Sequence, residues 1–311
     1  MTQKKRPALL ALTAWLVLTL AVVACGSPSP TRPDTAQVSA LLAASEMVVG
    51  ENRFPFGLVA ADGTLVEGAQ VHASFYRLLG EGRAEIRAEA DAVFLEVVGV
   101  TPHQHADGEV HPHQEARGVY VVERVSLDEA GFWQARFEAQ PPGDAPPVAG
   151  RVAFEVKEIS TTLAVGDAVP PSRNPTSRDV QDLAEITTHH PPVPGLYEFT
   201  VAEALEQAKP LVVTFATPAF CASRMCGPVT DVVAGLYEQY KGQANFIHIE
   251  PWDLPTARNE GRLVTTDIFR EWRLPSEPWV FVVDAQGRVA ARFEGLVGPD
   301  ELSRALDAAV R

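Results

Sequence analysis

Cysteine is scarce in this chain. There are three in 311 residues, Cys25, Cys221 and Cys226, too few for a scaffold held together mainly by disulfides. Internal repeats are absent, and so are clusters of Lys and Arg interleaved with aromatic residues. The formal charge is −14. Residues 1–24 carry Lys4, Lys5 and Arg6 and no acid, so the remainder carries −17. A surface of that sign repels phosphate backbones and anionic headgroups, which excludes nucleic-acid binding. Long apolar runs are confined to one place, residues 8–24.

That run, ALLALTAWLVLTLAVVA, is 17 residues long and follows the basic start MTQKKRP. It ends at Val22-Val23-Ala24-Cys25, which resembles the lipobox of bacterial lipoproteins. The resemblance implies a signal peptide over 1–24, removed on export, and a lipid on Cys25. Residues 25–45, beginning GSPSPTRPDTAQ, then read as a tether. The alternative is an uncleaved anchor, since a span needs at least about 17 apolar residues. Either reading attaches the protein to a membrane and places the rest in the cell envelope, outside the cytoplasm. Disulfides form and persist there, and Cys221 and Cys226 are left as a pair.

Some 285 mature residues suffice for two domains. Residues 46–160 are short runs rich in Val, Phe and Tyr, bounded by turn signals such as Asp62-Gly63 and Ala130-Gly131. No long amphipathic helix interrupts them. Six or seven strands at this spacing predict an all-β immunoglobulin-like sandwich. Residues 161–195, with VPPSRNPTSRD and HHPPVPG, are rich in proline and read as a linker. From 196 the period changes. FTVAEALEQAKP predicts a helix capped by Thr200 with Glu203 three residues on; LVVTFAT and ANFIHIEPW predict buried strands around the helix GPVTDVVAGLYEQYKG. PWVFVVD and VAARFEG predict a strand pair, and PDELSRALDAAV a closing helix. Residues 196–311 therefore read as an α/β domain with a mixed central sheet.

Three landmarks in this second domain resemble the thioredoxin superfamily, nearest its membrane-tethered TlpA-like members. They are the strand LVVTFAT entering a cysteine-bearing turn, Pro278 in LPSEPWVFVVD at the place of that family's cis-proline, and the hairpin VVDAQGRVAARFEG leading to a last helix. The resemblance implies thiol–disulfide exchange with envelope proteins that bear thiols or disulfides, with no cofactor required. Catalytic residues would be Cys226, Cys221 and Pro278, with Glu277 and Trp279 shaping the partner groove. The spacing departs from the family's Cys-x-x-Cys. Residues i and i+5 on one helix lie about 140° apart, and a disulfide needs Cα atoms about 4.4–6.8 Å apart. Cys221 must therefore lie in the loop before the helix if the two are to bond. Cys226-Gly227-Pro228 fits a helix start, where the macrodipole favours a thiolate. Cys226 is accordingly expected to attack and Cys221 to resolve. Val213 stands where the family places a buried acid, Phe220 where it places a tryptophan, and Val229 where its second cysteine would be.

Other readings stay open. The pair could be a structural disulfide in a non-catalytic binding module. It could be a copper or zinc clip of the kind in Sco-like metallochaperones. Pro218, Ser223 and Cys226 also resemble a peroxiredoxin motif with the proline displaced. His248 on the second strand reads as a ring satisfied by its neighbours. HQHADGEVHPH, residues 103–113, holds four of the eight histidines. If strand ends flank its Asp107-Gly108 turn, His103, His105, His111 and His113 converge on a site suited to copper or zinc, with Asp107, Glu109 and Glu115 nearby. A polar insertion that binds nothing is the alternative. His189-His190 reads as exposed spacer.

Overall fold

The computed structural model describes residues 36–97 and 118–311. Cys25 and the four histidines 103, 105, 111 and 113 lie outside the described residues. Residues 35–311 form one compact unit.

The first part consists of β1 (Ala36–Leu42), β2 (Met47–Val48), β3 (Gly50–Val59), β4 (Gln70–Gly80), β5 (Arg83–Glu96), β6 (Gly118–Leu127), β7 (Gly131–Gln140) and β8 (Val148–Lys157). The expected immunoglobulin-like sandwich is not what forms. A single sheet runs β1-β3-β6-β5-β4-β7-β8, and a parallel pairing of β1 with β8 closes it into a seven-stranded barrel, with β2 added on β8. Sandwich and barrel strands show the same inside–outside alternation, and what separates them is which strands pair at the edges. The closing strand comes from residues assigned to the tether. In β1 only Val38, Ala40 and Leu42 turn inward, a pattern too short and too small-residued to stand out beside the Ser/Pro run before it.

The barrel interior is aromatic. Phe56 stacks on Phe137 at 4.1 Å between centroids, and Phe75 and Phe154 each meet Phe54 edge-on at 5.1 Å. Polar tips inside are matched: the Tyr120 hydroxyl donates to Val66 O and accepts from Ala69 N, both at 2.9 Å, and Trp133 Nε1 donates to Glu129 O. β6 departs from alternation because it is covered on both faces. Tyr120 and Val122 point into the barrel, while Val119 and Val121 join an apolar cluster with Val280, Leu296, Val297 and Leu302 of the second part.

That second part comprises α1 (Val201–Glu206), β9 (Leu211–Phe215), α2 (Cys226–Tyr240), β10 (Asn245–Ile249), α3 (Leu254–Glu260), α4 (Asp267–Glu271), β11 (Trp279–Val283), β12 (Val289–Glu294) and α5 (Pro299–Val310). Its four-stranded sheet runs β10-β9-β11-β12, with β9 and β10 parallel and the other neighbours antiparallel. β9, β10 and β11 are buried throughout. Thr200 and Glu203 form the expected capping box on α1.

The proline-rich segment 161–195 does not span open solvent. It wraps the α/β layer, with Thr162, Ser172, Asn174, Thr176, Thr187 and His189 all buried. Lacking a ladder of its own, it pairs its polar groups with side chains and main chain of that layer. Trp272 Nε1 donates to Ser172 Oγ at 3.0 Å, and Val201 N to Asn174 Oδ1 at 2.8 Å.

Two buried ionic contacts join barrel and layer. Arg53 on β3 forks onto Glu301 of α5 at 2.7 and 3.1 Å and also donates to Leu296 O. Glu46 accepts from Arg292 of β12 at 3.1 Å, from Thr161 N and Oγ1, from Thr162 Oγ1 and from Ser160 Oγ. Burial alone would raise the Glu46 pKa, but these hydroxyls and the Thr161 N–H bring it down to about 2.

Candidate thiol site

β9 delivers the chain to a loop, residues 216–225, and α2 starts at Cys226. Cys226 is fully buried; Cys221, in the loop, is half-buried; both are free thiols. The loop bends back so that the Cys221 sulfur, not that of Cys226, caps the helix start. The Cys221 Sγ lies 3.2 Å from the Ser223 hydroxyl, and the Cys226 thiol, the Ser223 hydroxyl and the main-chain N–H groups of Cys226 and Ser223 all favour its anion. The Cys226 thiol is the largest influence. Together, against partial burial, these donors pull the Cys221 pKa down to about 6. Burial, and then the neighbouring Cys221 sulfur, push the Cys226 thiol far up. The thiolate is thus favoured at Cys221 and disfavoured at Cys226, the reverse of what the helix start alone would give. Proximity to a helix terminus favours an anion only where the sulfur keeps some solvent and meets the N–H groups; for Cys226 desolvation wins.

The Glu277–Pro278 peptide is cis, and Pro278 precedes β11. Glu277 is half-buried. Its burial, and next the charge on Cys221, raise its carboxyl to about 7. It also contributes to raising the Cys226 thiol, so one carboxyl senses both sulfurs. Ser276, one residue before it, accepts from Trp279 Nε1 at 3.1 Å and donates to Glu294 Oε1 at 2.7 Å, which fixes the loop.

Behind the cysteine loop lies a buried polar group that sequence reading only partly found. His248 is enclosed: Nε2 donates to Ala216 O at 2.9 Å, Nδ1 lies 2.8 Å from the Tyr197 hydroxyl, and burial lowers its pKa to about 4. It is a neutral, satisfied ring. His189 is buried with Nε2 at 2.9 Å from Asp231 Oδ1, not exposed spacer. Glu250 was missed. It follows β10, is buried, and its Oε1 accepts from Thr188 N and Oγ1 at 2.6 and 2.7 Å; burial raises its pKa. The one signal was an acid ending the apolar run ANFIHIE. Val213, standing where the resemblance implies an acid, is buried and apolar.

Among the described residues no group of three or more His, Cys, Asp or Glu side chains could hold a metal ion, and no helix is long and apolar enough to cross a membrane. No protein-family model and no curated protein matches the chain. Among solved structures, a thiol:disulfide interchange protein DsbE from Chlorobium tepidum aligns with 14% identity and TM-score 0.33, over 48% of this chain and 100% of its own. A thioredoxin-family thiol:disulfide interchange protein from Chlorobium tepidum TLS aligns with 18% identity and TM-score 0.29, over 45% and 99%.

Proposed function

We propose that the chain carries out thiol–disulfide exchange, with Cys221 as attacking thiolate and Cys226 as resolving thiol. The observation that carries this reading is the asymmetry of the pair: a half-buried sulfur whose pKa is lowered beside a fully buried thiol whose pKa is raised. Cys221 thus combines a favoured thiolate with access, the two conditions for attack. It displaces one sulfur of a partner disulfide, forming a mixed disulfide and releasing one partner thiolate, which takes a proton. Cys226 then loses its proton and attacks the Cys221 sulfur. This closes the 221–226 disulfide and releases the second partner thiolate. The partner gains two electrons, the pair loses them, and an external dithiol regenerates it. Glu277, with its pKa near 7 and both sulfurs within its electrostatic reach, serves to exchange the protons. Half-buried Glu277 would face the partner, held in place by the buried Pro278 and Trp279.

The lipobox-like Val22-Val23-Ala24-Cys25 supports placing this activity in the cell envelope on a lipid anchor at Cys25, with disulfide-bearing envelope proteins as partners. Mixed-disulfide trapping from membranes tests the assignment. Cys226→Ser should accumulate partner adducts through Cys221, and Cys221→Ser should accumulate none. Adducts through Cys226 would restore the opposite roles, and none in either variant would end the exchange reading.

A further inference from the structure

The barrel reaches the thiol site itself. Gly295 follows β12 with φ 73°, and its N–H donates to Pro278 O at 2.9 Å. A Cβ placed on it would lie 3.8 Å from the carbonyl oxygen of Ala43 in the barrel and 3.9 Å from Met225 Sδ, one residue before Cys226. Cis-proline loop, cysteine loop and the barrel segment between β1 and β2 thus meet at one residue. Hydrogen bonds lock the junction. Glu294 Oε2 accepts from Ser45 N and Oγ at 2.8 and 2.9 Å, while its Oε1 accepts from Ser276, beside Glu277. Met225 also packs in the apolar cluster that holds Leu95 and Val119 of the barrel. Ser45 itself is exposed.

From this we infer that barrel residues 43–45 form one wall of the partner groove beside Pro278, so that the barrel selects which disulfides reach Cys221. The inference rests on the exchange reading. The occupant it fits is an extended, disulfide-bearing segment of a basic partner protein. On this reading a polypeptide laid along the Pro278 loop meets Ser45, whereas a small disulfide needs only the half-buried sulfur. The groove floor carries the Glu277 carboxyl, and the chain beyond residue 24 carries −17, so cationic partners are steered in and anionic ones repelled.

The test uses the full chain at pH 8 and low salt, with three probes. These are a small aromatic disulfide, a peptide disulfide flanked by lysines, and the same peptide flanked by glutamates. The wild-type chain should reduce the lysine peptide faster than the glutamate peptide by about three- to tenfold. Ser45→Trp should lower the ratio of peptide rate to small-disulfide rate by about fivefold, since bulk on the wall obstructs only the long substrate. Ser45→Lys, which keeps the main-chain bond to Glu294 and gives up the hydroxyl one, should shrink the preference for the lysine peptide. Equal losses on all three probes, or ratios unmoved by both variants, would overturn the wall while leaving the exchange reading in place. A wild-type chain that reduces none of the probes would overturn both.

Discussion

The barrel and the α/β layer bury polar groups in opposite ways. In the barrel the buried hydroxyl of Tyr120 and indole of Trp133 have partners set by the turns around them, and the interior is otherwise aromatic and aliphatic. Among the described residues, Arg77 Nε is its one buried side-chain polar atom without a hydrogen bond. The α/β layer leaves more: His189 Nδ1, Thr214 Oγ1 and Trp252 Nε1, while Thr217 reaches the Glu250 carboxyl and acts to lower its pKa. It also holds a buried thiol, a buried histidine and two carboxyls whose pKa values are raised. Unmatched polar burial is costly and uncommon in native folds. The α/β layer carries the larger share of such groups among the described residues.

The largest expected effect separates the two regions outright. Cys221→Ser should bring disulfide reduction to the uncatalysed background without moving the urea midpoint, measured by parallel turnover and denaturation assays. Next comes the barrel. Trp133→Ala, which empties a fully buried site, should cost about 3–5 kcal/mol in urea unfolding. Alkylation of Cys221 below the transition should keep its wild-type rate.

Acid should reveal both regions in sequence. The His248 ring has its folded pKa depressed from 6.5 to about 4, so an unfolded chain takes up a proton there before the folded one does. Its contribution to stability is whole above pH 6.5 and fades as pH falls toward 4. Glu46 has its pKa lowered from 4.5 to about 2, so its contribution fades in the lower window, from 4.5 toward 2. Each is worth on the order of 3 kcal/mol. Glu277 and Glu250, whose pKa values are raised, act in the opposite sense over the upper window, so the two contributions are read as differences from the wild-type chain in urea unfolding against pH. His248→Gln should depart from wild type with a pH dependence confined to the window between 6.5 and 4, and Glu46→Gln with one confined to the lower window. The smallest effect concerns the site alone. Glu277→Gln removes a negative charge that opposes the Cys221 thiolate, so the midpoint of the Cys221 alkylation rate against pH should drop below its wild-type position near 6 by a fraction of a unit.

How far the sequence carried differs between the two regions for a physical reason. In the α/β layer the signals are local. The Thr200 box, the apolar run LVVTFAT, the Gly227-Pro228 helix start and the closing PDELSRALDAAV each specify an element within a dozen residues, and the elements form where those signals stand. Placing Cys226 at the helix start rested on Gly227-Pro228 and the family resemblance, and placing Cys221 in the loop on the spacing a bond between them would need. Which thiol is the anion did not, because it depends on which sulfur is desolvated and which meets the N–H groups. Glu250 stayed hidden for the same reason: an acid at the end of a strand looks solvent-facing until the 161–195 segment is seen to cover it.

The β part divides in the same way. Period-two patterning and turn residues determined that the apolar runs between 46 and 160 would be strands, because alternation is a property of single strands. Sequence alone carries the scarcity of cysteine, the acidic balance and the lipobox-like start. Closure into a barrel was decided only in three dimensions, by a parallel pairing between residues 36–39 and 148–151, more than a hundred positions apart in sequence. So were the burial of the proline-rich segment and the approach of Ser45 to Ser276 through Glu294. A sequence specifies each residue's preference for water or for its near neighbours; which distant groups then share the same desolvated space is settled when the layers pack.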